Sequence, residues 1–256
     1  MRKGMAARLT SPLALRECRF NHPVRPITTA TTQSCWWTPG TRALVFALAA
    51  TSIACLLAEF YGLGTMQFWV CRLLLPACIA LAALAVIDAR RNDGQLARMI
   101  VIGTLAGLAA AVAYDLFRAP FVWSREWNLE RVVPPMNLFK VFPRFGAMIL
   151  GEPVEQPSYS LSAQAAGWAY HFSNGATFGV MYLAMIGDAA RRHWLWAVAL
   201  AMGLELGMLF TPYPNVFGIR VSSMFVVVTL SAHLVFGVAL GLLTRRWAGR
   251  GTSPSR

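Results

Sequence analysis

Two matched stretches, His171-Phe-Ser-Asn-Gly-Ala-Thr-Phe-Gly179 and His233-Leu-Val-Phe-Gly-Val-Ala-Leu-Gly241, lie inside long apolar segments of the chain. In each stretch a histidine is followed by glycines at four-residue steps, which places all three residues on one face of a helix. Small residues at this spacing let membrane helices approach closely, and an ionisable side chain there is costly and marks function by default. The pattern predicts membrane-spanning helices that carry two imidazoles.

The fold class that we expect is all-α: a polytopic transmembrane helical bundle. Hydrophobic residues make up 57% of the 256 residues, and the charged ones cluster between apolar segments. Each segment has roughly the 20 residues that a bilayer requires. Six spans are predicted, and the second is the least secure because Arg72 lies in its first turns. The predicted spans are residues 43–64, 66–87, 99–117, 161–187, 194–210 and 221–243.

The distribution of arginines predicts the orientation of the bundle. They occur in the short connections that follow spans two, four and six, and the basic amino-terminal tail falls on the same side. The positive-inside rule makes that side cytoplasmic. We therefore expect a multi-pass protein of the bacterial inner (plasma) membrane with both termini in the cytoplasm. A nucleic-acid partner is not expected, because these arginines are dispersed at helix ends rather than gathered on one surface.

The sequence divides into a tail, a membrane domain and a second tail. Residues 1–41 are rich in Arg, Ser, Thr and Pro and predict a disordered basic cytoplasmic tail, or a start placed too early with Met5 as another initiator. Residues 42–247 form the six-span domain, and residues 248–256 a cytoplasmic tail. The five cysteines include no Cys-x-x-Cys pair, and those in apolar segments are interpreted as packing residues.

One connection, residues 118–160, is long, and the topology places it outside. It is too aromatic and apolar for disorder. Lys140 and Arg144 punctuate its apolar residues in a manner that suits a short amphipathic helix in the headgroup zone. We expect this loop to form a lid over the outer face. The alternative is a surface-packed loop with interfacial aromatic side chains.

The carboxyl-terminal half resembles a group of uncharacterised bacterial polytopic inner-membrane proteins with His-x-x-x-Gly helices. The resemblance lies in Ile149-Leu-Gly151, in Gly167-Trp-Ala-Tyr-His-Phe172 and in His233-Leu-Val-Phe-Gly237. It implies a small helical bundle and no particular reaction.

Several polar residues fall in the outer half of the predicted membrane, at about 1.5 Å of rise per residue. Asp115 and Arg118 close the third span, and their three-residue spacing allows an intrahelical ion pair. Glu205 has no cation within a turn, so it needs a partner on another helix. His171 and His233 share a level near the middle of the membrane. The arrangement predicts a funnel that opens outward and ends at the two imidazoles.

The chemistry of this funnel has several interpretations. His171, His233 and Glu205 have the side-chain types of a metal site for Fe, Zn or Mn. The two histidines could instead ligate haem b, handle protons or substrate without a metal, or serve packing alone. The residues predicted to take part in catalysis are Glu205, Asp115 and Arg118, and those predicted to contact substrate are Asn174, Tyr114 and Tyr213.

We expect a metal-dependent or acid/base enzyme that acts on a lipid-soluble small molecule within the lipid bilayer. The alternatives are a proton-coupled transporter or ion-binding channel, and a haem-binding or non-catalytic assembly subunit of a helix-mediated oligomer or larger membrane complex. A polar path to the inner side would favour transport. Glycine faces directed outward would favour assembly. The sequence contains no nucleotide-binding loop and no catalytic-triad or metalloprotease motif.

Overall fold

The structure is a computed structural model that describes residues 36–249, and every structural statement below concerns that part of the chain. It is all-helical there, without a strand. Two one-turn helices lie in connections: Leu138–Lys140 directly before the helix Val141–Leu150, and Tyr213–Val216 after the helix Leu195–Leu209. The longer helices are α1 Pro39–Phe60, α2 Met66–Arg91, α3 Gln95–Val122, α4 Val141–Leu150, α5 Leu161–Ile186, α6 Leu195–Leu209 and α7 Ser223–Gly249.

A polar capping residue sets where α1 begins. The Thr38 hydroxyl accepts a hydrogen bond from the Thr41 amide, and Pro39 occupies the first helical turn. The first helix therefore begins inside the stretch predicted to be tail, and α7 runs to Gly249 at the other end. Trp37 donates from its indole nitrogen to the carbonyl of Gly187 at 3.3 Å, so the bundle reaches back to this residue. The predictions for residues 1–35 and 250–256 lie outside the described residues.

Four of the described helices, α1, α2, α3 and α7, are long and apolar enough to cross a membrane. The remaining two of the predicted spans form helices that do not meet both conditions. The α5 helix is long but carries Gln164, His171 and Asn174, and α6 has only 15 residues. The α2 helix qualifies although it contains Arg72, which lies in a wide π-helical turn.

The glycines of the first matched stretch bring the backbones of α3 and α5 into contact. A Cβ atom added to Gly107 would overlap the carbonyl oxygen of Gly175, and one added to Gly179 would overlap the carbonyl oxygen of Gly103. No side chain larger than hydrogen fits at these positions without a shift of backbone. The two antiparallel helices are therefore held in one register by their glycines.

The second matched stretch does the same for α6 and α7. A Cβ on Gly237 would lie 2.6 Å from the Cα of Val198, and one on Gly241 would lie 2.5 Å from the carbonyl oxygen of Trp194. The glycines of both stretches thus face neighbouring helices of the same chain. They are not directed outward, as an assembly surface would require.

Two arginines close the ends of helices on the side of the bundle that was predicted to be cytoplasmic. Arg42 donates to the carbonyl oxygens of Ala184 and Met185, at 2.9 and 2.8 Å, at the end of α5. Arg98 donates to the carbonyl oxygens at the end of α7. Carbonyl groups in the last turn lack partners within the helix, and cations there also interact favourably with the helix dipole.

The long connection differs from its prediction in two respects. The α3 helix continues to Val122, so Arg118 is a buried helical residue and not the start of a loop. A helix does form over Val141–Leu150, but it packs tightly on α5, where Gly146 and Gly167 meet. Most of its residues, including Arg144, are buried. It is therefore an integral part of the bundle.

The glycine contact between α3 and α5 makes a direct prediction. We expect Gly107→Ala to lower the free energy of unfolding by about 1–3 kcal/mol, because the added methyl group forces the backbones apart. Gly203→Ala is the matched control, since nothing lies within 4 Å of a Cβ there and alanine favours helix by roughly 1 kcal/mol. Thermal unfolding in detergent measures both. Equal melting temperatures for the two variants would contradict the close approach.

Candidate functional site

A cavity of about 450 Å³ opens at the end of the bundle where α3 and α6 end and α5 and α7 begin. The α4 helix and the residues just before it form its roof. Most of the residues predicted from the sequence to form a polar funnel line this cavity. They are Tyr114, Arg118, His171, Glu205, Tyr213 and His233.

His171 is anchored by a carboxylate. Its Nε2 atom lies 2.8 Å from Oδ2 of Asp115 on α3. Because an ionised carboxylate only accepts, Nε2–H is the donor, and Nδ1 is left without a hydrogen-bond partner among the described residues. The ring of Phe142 packs against the imidazole with 4.2 Å between the centroids. The histidine is thus fixed in one orientation, with one nitrogen unused.

Arg118 holds the roof to α3. Its Nη2 donates to the carbonyl oxygen of Leu138, and its Nη1 lies 3.6 Å from Oδ1 of Asp115. The intrahelical pair predicted from the sequence is therefore present. The guanidinium also lies over the ring of Tyr114, 4.7 Å from its centroid, and near two phenylalanine rings of the roof. Arg118 is 4% exposed, and its contacts hold the roof against α3.

His233 is anchored by a backbone carbonyl. Its Nδ1 lies 3.0 Å from the carbonyl oxygen of Thr229 and 3.5 Å from Oε2 of Glu205 on α6. The carbonyl can only accept, so Nδ1–H donates to it and Nε2 stays unpaired in the described structure. Glu205 is 8% exposed and accepts no hydrogen bond from the described residues. Its partner is thus the second histidine, one of the partners that the sequence allowed.

The predicted metal site of His171, His233 and Glu205 is not supported by this geometry. No group of three His, Cys, Asp or Glu side chains within residues 36–249 could hold a metal ion. The physical reason is that His171 turns toward Asp115, while Glu205 stays with the other histidine. The ring of Tyr114 lies against both imidazoles, with centroids 6.0 and 5.0 Å away. A haem ligated by both histidines would need the space that this ring fills.

A second, deeper cavity of about 120 Å³ adjoins the first and shares Tyr114, His171 and His233 with it. Asn174 lines it, and the Oδ1 atom of this side chain is buried without a partner in the described structure. The other residues that line it are mostly apolar. They include Ala111, Phe178, Ala201, Leu204, Met208 and Phe236.

Tyr213 lines the outer cavity from the one-turn helix that follows α6. Its ring packs on Phe60 and Phe217, with centroids 5.8 and 5.3 Å away. Burial raises the pKa of Tyr213 above its ordinary value. A tyrosine hydroxyl is protonated at neutral pH even without such a shift, so it can donate a hydrogen bond here.

Sequence reasoning placed Arg144 in the headgroup zone and missed its contribution to the cavity wall. Its Nη1 donates to the carbonyl oxygen of Phe217 at 2.6 Å, and its Nη2 forms an ion pair with Glu155. The contact with Phe217 ties α4 to the connection between α6 and α7, and the contact with Glu155 ties it to the connection between α4 and α5. The signal that could have indicated this was a single arginine between Phe142 and Phe145, on an otherwise apolar helix.

The two carboxylates should differ in their effect on stability. We expect Asp115→Asn to lower the free energy of unfolding by roughly 3 kcal/mol, because it leaves the buried Arg118 without an anion. Glu205→Gln should cost much less, because no cation depends on that carboxylate. Chemical unfolding of both variants in detergent measures the difference. An equal loss in both would contradict the assignment of Arg118 to Asp115.

Comparison with known proteins adds one match. A family model described as a family of unknown function (DUF6789) matches residues 130–255, which include α4 to α7 with His171, Glu205 and His233. Tyr114 and Asp115 lie outside the matched segment. No curated protein and no solved structure matches the chain. The chain is thus similar to this family over just under half of its length.

Proposed function

We propose that this protein is a multi-pass membrane protein that performs acid–base chemistry on a lipid-soluble substrate in the cavity. In this proposal six helices cross the bacterial inner membrane, both termini are cytoplasmic, and the cavity opens toward the outer leaflet. Four helices meet the length and apolarity of a span, and the polar face of α5 is turned into the bundle at His171. Polar groups that face a bundle interior are tolerated in spanning helices.

The observation that carries the proposal is the anchoring of each imidazole by one of its nitrogens. His171 is held by Asp115 and His233 by the carbonyl of Thr229. Such contacts fix the tautomer and orient the ring. The unpaired nitrogens, Nδ1 of His171 and Nε2 of His233, belong to residues that line the same cavities. A substrate there meets two positioned groups that can each give or take a proton.

The two carboxylates suggest which histidine donates a proton to the substrate and which accepts one. Asp115 lies 2.8 Å from Nε2 of His171 and can stabilise a ring that carries protons on both nitrogens, so we assign His171, in that imidazolium form, as the proton donor through Nδ1. His233 accepts a proton from the substrate through Nε2, and the imidazolium so formed is stabilised by Glu205 at 3.5 Å. The substrate loses one proton and gains another. Exchange with water at the open end of the cavity returns both rings to their starting states.

Transport and assembly have less support. The deeper cavity ends among Phe178, Ala201 and Phe236, and beyond it Leu183 and Leu240 are fully buried. A permeation path would need polar groups at that level. The glycines of the two matched stretches are used between helices of the same chain, whereas a Cβ added to Gly203 or Gly207 on α6 would have no neighbouring group within 4 Å.

Labelling of introduced cysteines tests the orientation. In a background in which all five natural cysteines are replaced by serine, Glu130→Cys should react with an impermeant maleimide applied to intact cells. Asp93→Cys should react only after permeabilisation, because it lies at the end that carries Arg42 and Arg98. Both residues are exposed in the structure. Labelling of residue 93 but not 130 in intact cells would place the cavity on the cytoplasmic side.

Lipid mass spectrometry tests the chemistry. Protein in nanodiscs made from native membrane extract should change the abundance of at least one lipid-soluble compound during incubation. His171→Gln and His233→Gln should each lower that change by about 100-fold or more, the typical contribution of a general acid or base. His193→Gln is the control, because this exposed histidine lies outside the cavity. A change that persists in both cavity variants would exclude the acid–base role.

A further inference from the structure

The two cavities differ in character in a way that specifies the shape of a ligand. The outer cavity is lined by the cations Arg118, Lys140 and Arg144 and by one carboxylate, Glu205, among the described residues. The deeper cavity has no charged group apart from the histidines. A molecule that fills both must therefore be polar at one end and apolar at the other.

Lys140 is the cation in the outer cavity that is free to bind an anion. The guanidinium of Arg118 is engaged by Leu138 and Asp115, and that of Arg144 by Phe217 and Glu155. The exposed amine of Lys140 has no hydrogen bond or ion pair within the described part of the chain. A carboxylate or phosphate would be its natural partner.

The deeper cavity has a volume that suits a small apolar group. Its volume is about 120 Å³. An apolar protein cavity of about 150 Å³ holds one benzene molecule. The apolar end of the ligand therefore has the size of a single six-membered ring or of a branched five-carbon unit. Its passage beside Tyr114, His171 and His233 places the adjoining atoms of the ligand at the unpaired imidazole nitrogens.

We infer that the ligand of this site is a single-chain anionic amphiphile, with its anionic group at Lys140 and a ring-sized apolar end in the deeper cavity. The inference rests on the proposed function for the reaction, since the histidines would act on the middle of the bound molecule. The binding itself requires only the two cavities and Lys140.

Binding of ω-phenyl carboxylates with two to eight methylene groups, compared with the corresponding alcohols, tests the inference. The protein is kept in nanodiscs, and the heat of titration into empty nanodiscs is subtracted. We expect at least one carboxylate to bind about tenfold or more tightly than its alcohol. Lys140→Gln should remove this preference, whereas Arg125→Gln, at an exposed arginine outside the cavity, should retain it.

A second pair of variants tests the deeper cavity. Leu204→Trp fills it and should weaken binding of the phenyl compounds about tenfold or more. Leu206→Trp changes the same helix at a position that is 43% exposed and should have little effect. The inference is overturned if no compound binds, if acids and alcohols bind equally, or if Leu204→Trp leaves binding unchanged. Acid-selective binding in wild type and in the His171→Gln/His233→Gln double variant, without any turnover by wild type, would retain the inference and reject the acid–base function.

Discussion

The contact between glycine backbones on antiparallel helices is the constraint on which the site depends. Gly103 and Gly107 on α3 meet Gly179 and Gly175 on α5 without any side chain between them. One turn beyond Gly175 lies His171, and the same close approach brings Asp115 within 2.8 Å of it. A larger residue at the glycines would separate the helices and lengthen this hydrogen bond. Packing and chemistry are therefore set by the same face of one helix.

The same relation recurs in the second matched stretch. Gly237 and Gly241 hold α7 against α6, and one turn before Gly237 lies His233, with Glu205 of α6 at 3.5 Å. Each histidine thus lies near a carboxylate of the helix against which the glycines of its own stretch pack. The α3 helix packs on both α5 and α7, which explains why Tyr114 contacts both imidazoles. A common packing constraint accounts for this similarity without an internal repeat.

Much of this arrangement could be predicted from the sequence, because depth in a membrane follows from position along an apolar segment. The sequence predicted helices at the six apolar segments and placed both histidines near one polar end, and the structure has helices there and a cavity that both histidines line. The direction in which each side chain points could not be predicted from position along the segment. It depends on contacts such as that of Gly107 with Gly175, so the sequence grouped His171 with Glu205 and paired Asp115 with Arg118 alone. The burial of α4 was missed for the same reason, because its apolar residues suited a membrane surface equally well.

The charges of the bundle divide into those that hold the fold and those that remain for a ligand. Arg42 and Arg98 are engaged by helix ends on one side. On the other side, Arg118 is engaged by Leu138 in the roof of the cavity, and Arg144 of α4 by Phe217 in the connection between α6 and α7. An arginine bound to backbone carbonyls satisfies acceptors that would otherwise be unpaired in an apolar setting, which is a structural contribution. Around the two cavities, the groups without a hydrogen bond within residues 36–249 include the Glu205 carboxylate, the Lys140 amine, Oδ1 of Asn174 and one nitrogen of each imidazole. Helix packing does not require these groups to be polar, and for this reason we propose that they contact a ligand in the cavity.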